Sequence, residues 1–308
     1  MFSPFRNVPR ALRLMSVTAF VSHEHASLHD TGWSHPDHQG RLPAIVRAVQ
    51  RDMAALWEPL AQMEAVPAGE DDLLLVHTPA HVARVAARAA EAQVAGRTLE
   101  LDGVPVSGAS WDAALASAGA ALTAADAVLR GDVRNAFAVA RPPGRGARPD
   151  AAGGHSLFNT AAVLARRLVE RQGVGRVLVL AWGDAVPDAL EEALGGDPRI
   201  RLASVHRGVV PAGARGGDFA LAQHESLGAD RCDFVVLSAG FDILAADPEG
   251  ELGVEPDEVH ALTVALRGWA EEHAGGRLVS VLEGGYDAAA TARAVVQHLR
   301  ALAGVGAA

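Results

Sequence analysis

The chain alternates two hydrophobic patterns. Short runs are apolar at every position, as in RVLVLAW (176–182) and FVVLSAG (234–240). Longer stretches repeat apolar residues every three or four positions, the spacing of a helix with one buried face. Runs that never alternate with polar residues suit strands covered on both faces. On this pattern strands are predicted at Ser16–Val21, Leu73–His77, Ala136–Ala140, Arg176–Trp182, Arg201–Val205, Phe234–Ala239 and Arg277–Leu282. Helices are predicted at Leu42–Trp57, His81–Gln93, Trp111–Leu129, Phe158–Arg171, Ala189–Leu194, Glu258–Glu272 and Asp287–Ala303. Strand–helix alternation over the whole length predicts a single three-layer α/β domain over residues 15–308. Its sheet should be mainly parallel, with helices on both faces. Residues 1–14, with Arg6, Arg10 and Arg13, are expected to form a basic, poorly ordered extension, and Met15 is an alternative start.

In a parallel sheet the ligand sits beyond the carboxyl ends of the strands. Four loops therefore matter most: RPPGRGARPDAAGGHSLFN from Arg141, AWGDAVPD around Gly183, SAGFDILAADPEG around Asp242, and LEGGYD around Gly285. Each is rich in glycine and short polar residues, as a site that brings backbone close to a ligand would be. Tyr286, the chain's one tyrosine, follows a glycine pair at a strand end, where its hydroxyl can face a pocket or solvent.

Composition narrows the function. The 308 residues are 49% hydrophobic and 21% charged, enough to bury a core without a disulfide or structural metal. Cys232 is the single cysteine, so no internal disulfide forms and a cytoplasmic location is expected. No apolar run has the length of a membrane span. A net charge of −10 argues against a general nucleic-acid binder. All 27 basic residues are arginine, consistent with GC-rich codon usage. That excludes a lysine Schiff base, a lysine general base and a phosphate-loop lysine.

The ordered motifs then become specific. SHEHASLHDTGWSHPDHQGRLPAI contributes His29, Gly32, His35, Pro36 and Arg41, and is followed by VHTPAHV, SWDAALASAGAAL, NAFAVARPPG and SLFNTAAVLA. SVHR, SAGFD, Asp247–Pro248 and LEGGYD complete the series. From about Ser16 to about Leu302 the chain resembles the histone deacetylase and acetylpolyamine amidohydrolase superfamily, which implies the arginase–deacetylase fold. The resemblance also implies zinc-assisted amide hydrolysis, with three protein ligands, a tandem histidine pair and an oxyanion-stabilising tyrosine.

Position by position, much of that machinery is missing. Gly183 stands where a ligand Asp belongs and Ala185 where a ligand His belongs, so Asp242 is the only ligand retained. Ala181 replaces an Asp that helps hold a structural monovalent cation. Arg145 and Gly146 replace the tandem histidines, and arginine cannot act as a base near neutral pH. Tyr286 survives. In the acyl channel, His155, after Gly154, takes an aromatic position and Glu249 an apolar one. The acidic rim residue falls near Asp102, although an ungapped match gives Gly103. The remaining histidines read as scaffold or surface: His77, His81 and His206 as scaffold, His224, His260, His273 and His298 as solvent-facing.

Two functions follow. The first is an inactive pseudo-deacetylase that binds no zinc and keeps a pocket for a small polar or cationic ligand, or a protein partner, with homo-oligomerisation open. The second is an amidohydrolase with a remodelled metal site, in which a one-residue slip brings Asp184 together with Asp242 and His155. On the first reading Arg145 pairs bidentately with Asp242 and keeps it ionised, with Arg148 or Arg41 as the fallback partner.

Overall fold

The structure, a computed structural model, describes residues 17–308. The expected basic extension, the alternative start and Ser16 lie outside the described residues. Seven parallel strands form one sheet in the order β2-β1-β5-β9-β8-β6-β7. They are β1 (Thr18–Ser22), β2 (Leu60–Glu64), β5 (Asn135–Ala138), β6 (Val177–Trp182), β7 (Ile200–Val205), β8 (Phe234–Ala239) and β9 (Leu278–Leu282). A separate antiparallel hairpin pairs β3 (Leu99–Leu101) with β4 (Val104–Val106).

Helices cover both faces, as the unbroken apolar runs require. One face packs against α4 (Pro79–Ala95), α5 (Ser110–Leu129), α6 (Thr160–Glu170) and α7 (Asp188–Leu194). The other packs against α1 (Arg41–Arg51), α8 (Gly216–Leu227), α9 (Glu258–Ala274) and α10 (Ala288–Leu302). In β6 the side chains divide cleanly: Val177, Val179 and Ala181 join the first core, Leu178, Leu180 and Trp182 the second. Each such side chain, fully buried, contributes roughly 1.5–3 kcal/mol when it is as large as Val or Leu.

Several sequence expectations need correction. Leu73–His77 is not a strand. Gly69 and the acidic residues Glu70, Asp71 and Asp72 open a short helix, α3 (Glu70–Leu73), whose positive N-terminal end they stabilise. Thr78 and Pro79 then cap α4, leaving only turns between. The predicted helix Leu42–Trp57 breaks at Asp52 into α1 and a single turn, α2 (Met53–Leu56). Strand β2 is an edge strand in which only Leu60 is buried, so LAQME carries no apolar run. Helix α8 opens on two glycines and was not foreseen either. Helix α5 is long and apolar enough to cross a membrane by length and composition, contrary to the reading of its runs. It is instead a core helix, largely buried against β1, β5, β9, α4 and α6.

His298 is also corrected. It lies on the inner face of α10, fully buried, with Nδ1 2.7 Å from Thr263 Oγ1 and Nε2 2.8 Å from Ser280 Oγ. Burial pushes its pKa down to about 3. Burial likewise lowers His29 and His77 to about 4, with Arg141 reinforcing the first and His81 the second. Above pH 6.5 these rings are neutral in both folded and unfolded chains. Below it the unfolded chain takes up protons that the fold refuses, so stability falls with pH until about 4 to 3. Each histidine contributes up to about 1.4 kcal/mol per pH unit in that window. Urea midpoints should therefore drop steeply between pH 7 and pH 5; equal midpoints would show that these rings accept protons in place.

Candidate functional site

All four glycine-rich loops meet at the carboxyl ends of β5, β6, β8 and β9, around a cavity of about 430 Å³. The loop after β5 supplies Arg145, Gly146, Gly154 and His155; that after β6 supplies Asp184 and Ala185. Asp242 and Glu249 come from the loop after β8, and Glu283 and Tyr286 from the end of β9. Gly183 and Gly285 do not line the cavity. Gly285 is a turn residue at φ 115° whose carbonyl accepts from Arg41 Nε at 2.6 Å.

Arg145 forms the floor. Its Nη2 lies 2.8 Å from Asp242 Oδ2, and its Nη1 donates to the Trp182 carbonyl at the end of β6. Burial opposes the charge on Arg145, but Asp242 and Glu283 outweigh it and raise the pKa, so the guanidinium stays protonated. The pairing is single, not bidentate: the second nitrogen serves the carbonyl. Asp242 Oδ1 is buried without a hydrogen-bond partner, while Oδ2 also accepts from the Asp184 amide at 3.2 Å. Neither fallback arginine approaches Asp242: Arg148 pairs with Glu192 and Arg41 with Asp37.

Gly183 explains how Arg145 reaches that position. A Cβ at residue 183 would overlap the guanidinium at Nη1, Cζ and Nη2. A side chain at 183 and the paired Arg145 therefore exclude each other. Glu283, which the sequence reading passed over inside LEGGYD, fixes the loop from below. Its Oε2 accepts from the Gly144 and Arg145 amides at 2.6 and 2.9 Å, and its Oε1 from Ser238 Oγ at 3.1 Å. Burial raises the Glu283 pKa, and the two amide donors oppose the shift.

Gly146 is closed off differently. The segment Gly153–Ser156 folds into a tight turn with reciprocal amide–carbonyl bonds of 3.0 and 2.8 Å between its ends. Gly154 and His155 sit at its centre with φ of 51° and 64°, the sign pattern of a type I′ turn. The Gly153 carbonyl rests where a Cβ of residue 146 would be. Both hold left-handed conformations, which cost Gly154 nothing but which the side chain of His155 resists. Several contacts hold it there: Nε2 is 2.9 Å from Glu249 Oε2, and the ring meets those of His35 and Tyr286 edge-on. Asp102, at the β3–β4 turn, anchors the same loop by accepting from the Ala152 amide at 3.1 Å. The Asp102–Gly103 pair between the triplets LEL and VPV is the sequence signal for this hairpin.

Tyr286 is half-buried, its ring under the Arg41 guanidinium at 4.9 Å and its amide bonded to Asp247 at 2.6 Å. Burial raises its pKa well above the usual phenol value, so it faces the cavity as a neutral hydroxyl.

The imagined metal triad does not assemble. Asp184 Oδ1 accepts from the Glu251 amide at 2.8 Å and Oδ2 lies 3.6 Å from Arg207. His155 is held by Glu249 at the rim. Among the described residues no three His, Cys, Asp or Glu side chains are grouped to hold a metal ion. Of the ligands the resemblance implies, Gly183 and Ala185 offer no donor atom, and Asp242 is bonded to a cation already present. The residues do not fit a catalytic zinc, which needs three protein ligands and an open position.

The histone deacetylase domain profile matches residues 35–215 and 222–302. The chain belongs to the histone deacetylase family. It is 32% identical over 283 residues to a histone deacetylase-like amidohydrolase of Pseudomonas aeruginosa, covering 82% of this chain and 72% of that one. A probable deacetylase of Archaeoglobus fulgidus is 28% identical, with 88% and 81% covered. Human polyamine deacetylase HDAC10 is 29% identical over 93% of this chain, which spans about half of the human protein, 48%. Among solved structures the HDA15 HD domain superposes with a TM-score of 0.81 at 24% identity, covering 94% of this chain and 89% of that domain. The histone deacetylase fold thus surrounds a cavity that holds the Arg145–Asp242 pair.

Proposed function

We propose that this protein is a non-hydrolytic member of the histone deacetylase family, in which a tethered guanidinium stands in for the metal. The observation that carries this reading is the Arg145–Asp242 contact, made possible by a glycine at 183. Amide hydrolysis by the family route requires a Lewis acid and a proton-transfer group. Arg145 supplies neither: it has no open coordination position and holds its proton at any physiological pH. The cavity is retained for binding. His155 and Glu249, bonded to each other at its rim, give that rim a polar edge that suits a small polar or cationic ligand better than an acyl chain, since covering polar atoms that still lack a partner costs roughly 1–3 kcal/mol.

Metal analysis and an acetate-release assay test this together. Protein purified with zinc supplied should hold far less than one zinc per chain. It should release no acetate from acetyl-lysine peptides or acetylpolyamines above blank, and a hydroxamate should not raise its melting temperature. One zinc per chain with enzyme-like turnover would overturn the proposal.

A further inference from the structure

At the amino-terminal edge of the sheet, away from Arg145, a concavity of about 260 Å³ opens beside the first residues of β6, β7 and β8. Arg176, Arg199, Arg201 and Arg231 line it, against one carboxylate, Asp230. Arg199 is neutralised by Asp197, with Nε and Nη2 at 3.0 and 2.7 Å from its carboxylate. The other three form no ion pair within 4 Å among the described residues.

Arg201 is the fixed member. It is half-buried, and its two Nη atoms donate to the Ser226 and Leu227 carbonyls at the end of α8. Those partners are neutral, so they orient the guanidinium without cancelling its charge. Arg176 and Arg231 are exposed. The nearby Asp233 turns its Oδ2 to the Arg176 backbone amide at 2.8 Å, not to the guanidinium. On a chain of net charge −10 this concavity reverses the local sign. The chain-wide use of arginine in place of lysine does not explain three arginines gathered beside the single carboxylate of Asp230 with no ion pair within 4 Å among the described residues, since like charges on a small concave surface repel one another.

Guanidinium forks match phosphoryl oxygens in pairs, and a dianion relieves that repulsion. We propose that this concavity binds a phosphoryl dianion, as free phosphate or the head of a small phosphate monoester. Arg176 and Arg231 grip its oxygens, and Arg201 supplies fixed charge behind them. The proposal is independent of the Arg145 site.

Calorimetric titration of the full chain with inorganic phosphate at constant ionic strength tests it. Saturable binding in the millimolar range or tighter is expected. Arg176→Gln and Arg231→Gln should each weaken it by roughly tenfold or more, the range for hydrogen bonds to a charged group. Arg88→Gln, which breaks an exposed pair with Glu91 elsewhere, should leave it unchanged. Because Arg176 and Arg231 are exposed, their replacement should not unfold the chain, and circular dichroism checks this. Glycerol 3-phosphate in place of phosphate distinguishes the sources: tighter binding assigns a monoester, equal or weaker binding assigns free phosphate. No saturable phosphate binding, or binding indifferent to both arginine substitutions, would overturn the site.

Discussion

Asp242→Ala should lower folding stability by about 3–5 kcal/mol, the usual cost of leaving one partner of a buried ion pair alone. The side chains of Arg145 and Asp242 are only 14% and 9% exposed, so water can do little for the orphaned guanidinium. The Asp184 amide would lose its acceptor as well. Arg145→Met combined with Asp242→Ala should recover much of the loss, because removing both charges also removes their desolvation cost. Urea unfolding near neutral pH measures both variants, and unchanged m-values would assign the effect to the folded state. A loss below about 1 kcal/mol, the size expected of a surface pair, would show that Arg145 does not replace a cation.

Restoring zinc ligands without touching Arg145 should fail. Gly183→Asp with Ala185→His supplies the two missing donors, but any side chain at 183 meets the guanidinium. The double variant should therefore take up no stoichiometric zinc. It should also lose about 1–3 kcal/mol to overpacking, beyond what the broken Arg145 contacts cost. Adding Arg145→Ala frees both the space and Asp242, and metal analysis should then find zinc in the triple variant alone. A double-mutant cycle between Gly183→Ala and Arg145→Ala should show coupling within about 0.5–3 kcal/mol. Stoichiometric zinc in the double variant would mean that the guanidinium moves aside freely.

The fold was legible where burial on both faces imposed an unbroken apolar run. Phe234–Ala239 appears with the same bounds in sequence and structure, and the four loops that line the cavity follow from their places at strand ends. Edge strand β2 escaped because its burial is too slight to select residues. His298 escaped because a histidine on a helix reads as polar until Thr263 and Ser280 are seen to bond both its nitrogens. At the site, motif order located Arg145 beside Asp242. Chain order could not give the rest: that the Trp182 carbonyl takes the second nitrogen, that Glu283 holds the loop, or that Gly146 is closed by backbone. Those facts depend on how segments distant in sequence cross.

The Gly153 carbonyl resting against Gly146 limits which substitutions the site accepts one at a time. Acquiring a histidine at 146 would first require lifting the turn that carries His155, and with it the bond to Glu249. Acquiring an aspartate at 183 would first require giving up Arg145 and exposing Asp242 uncompensated. Either single substitution is therefore expected to be less stable than the chain as it stands, so a metal-ligating donor set could arise here only through paired, compensated changes.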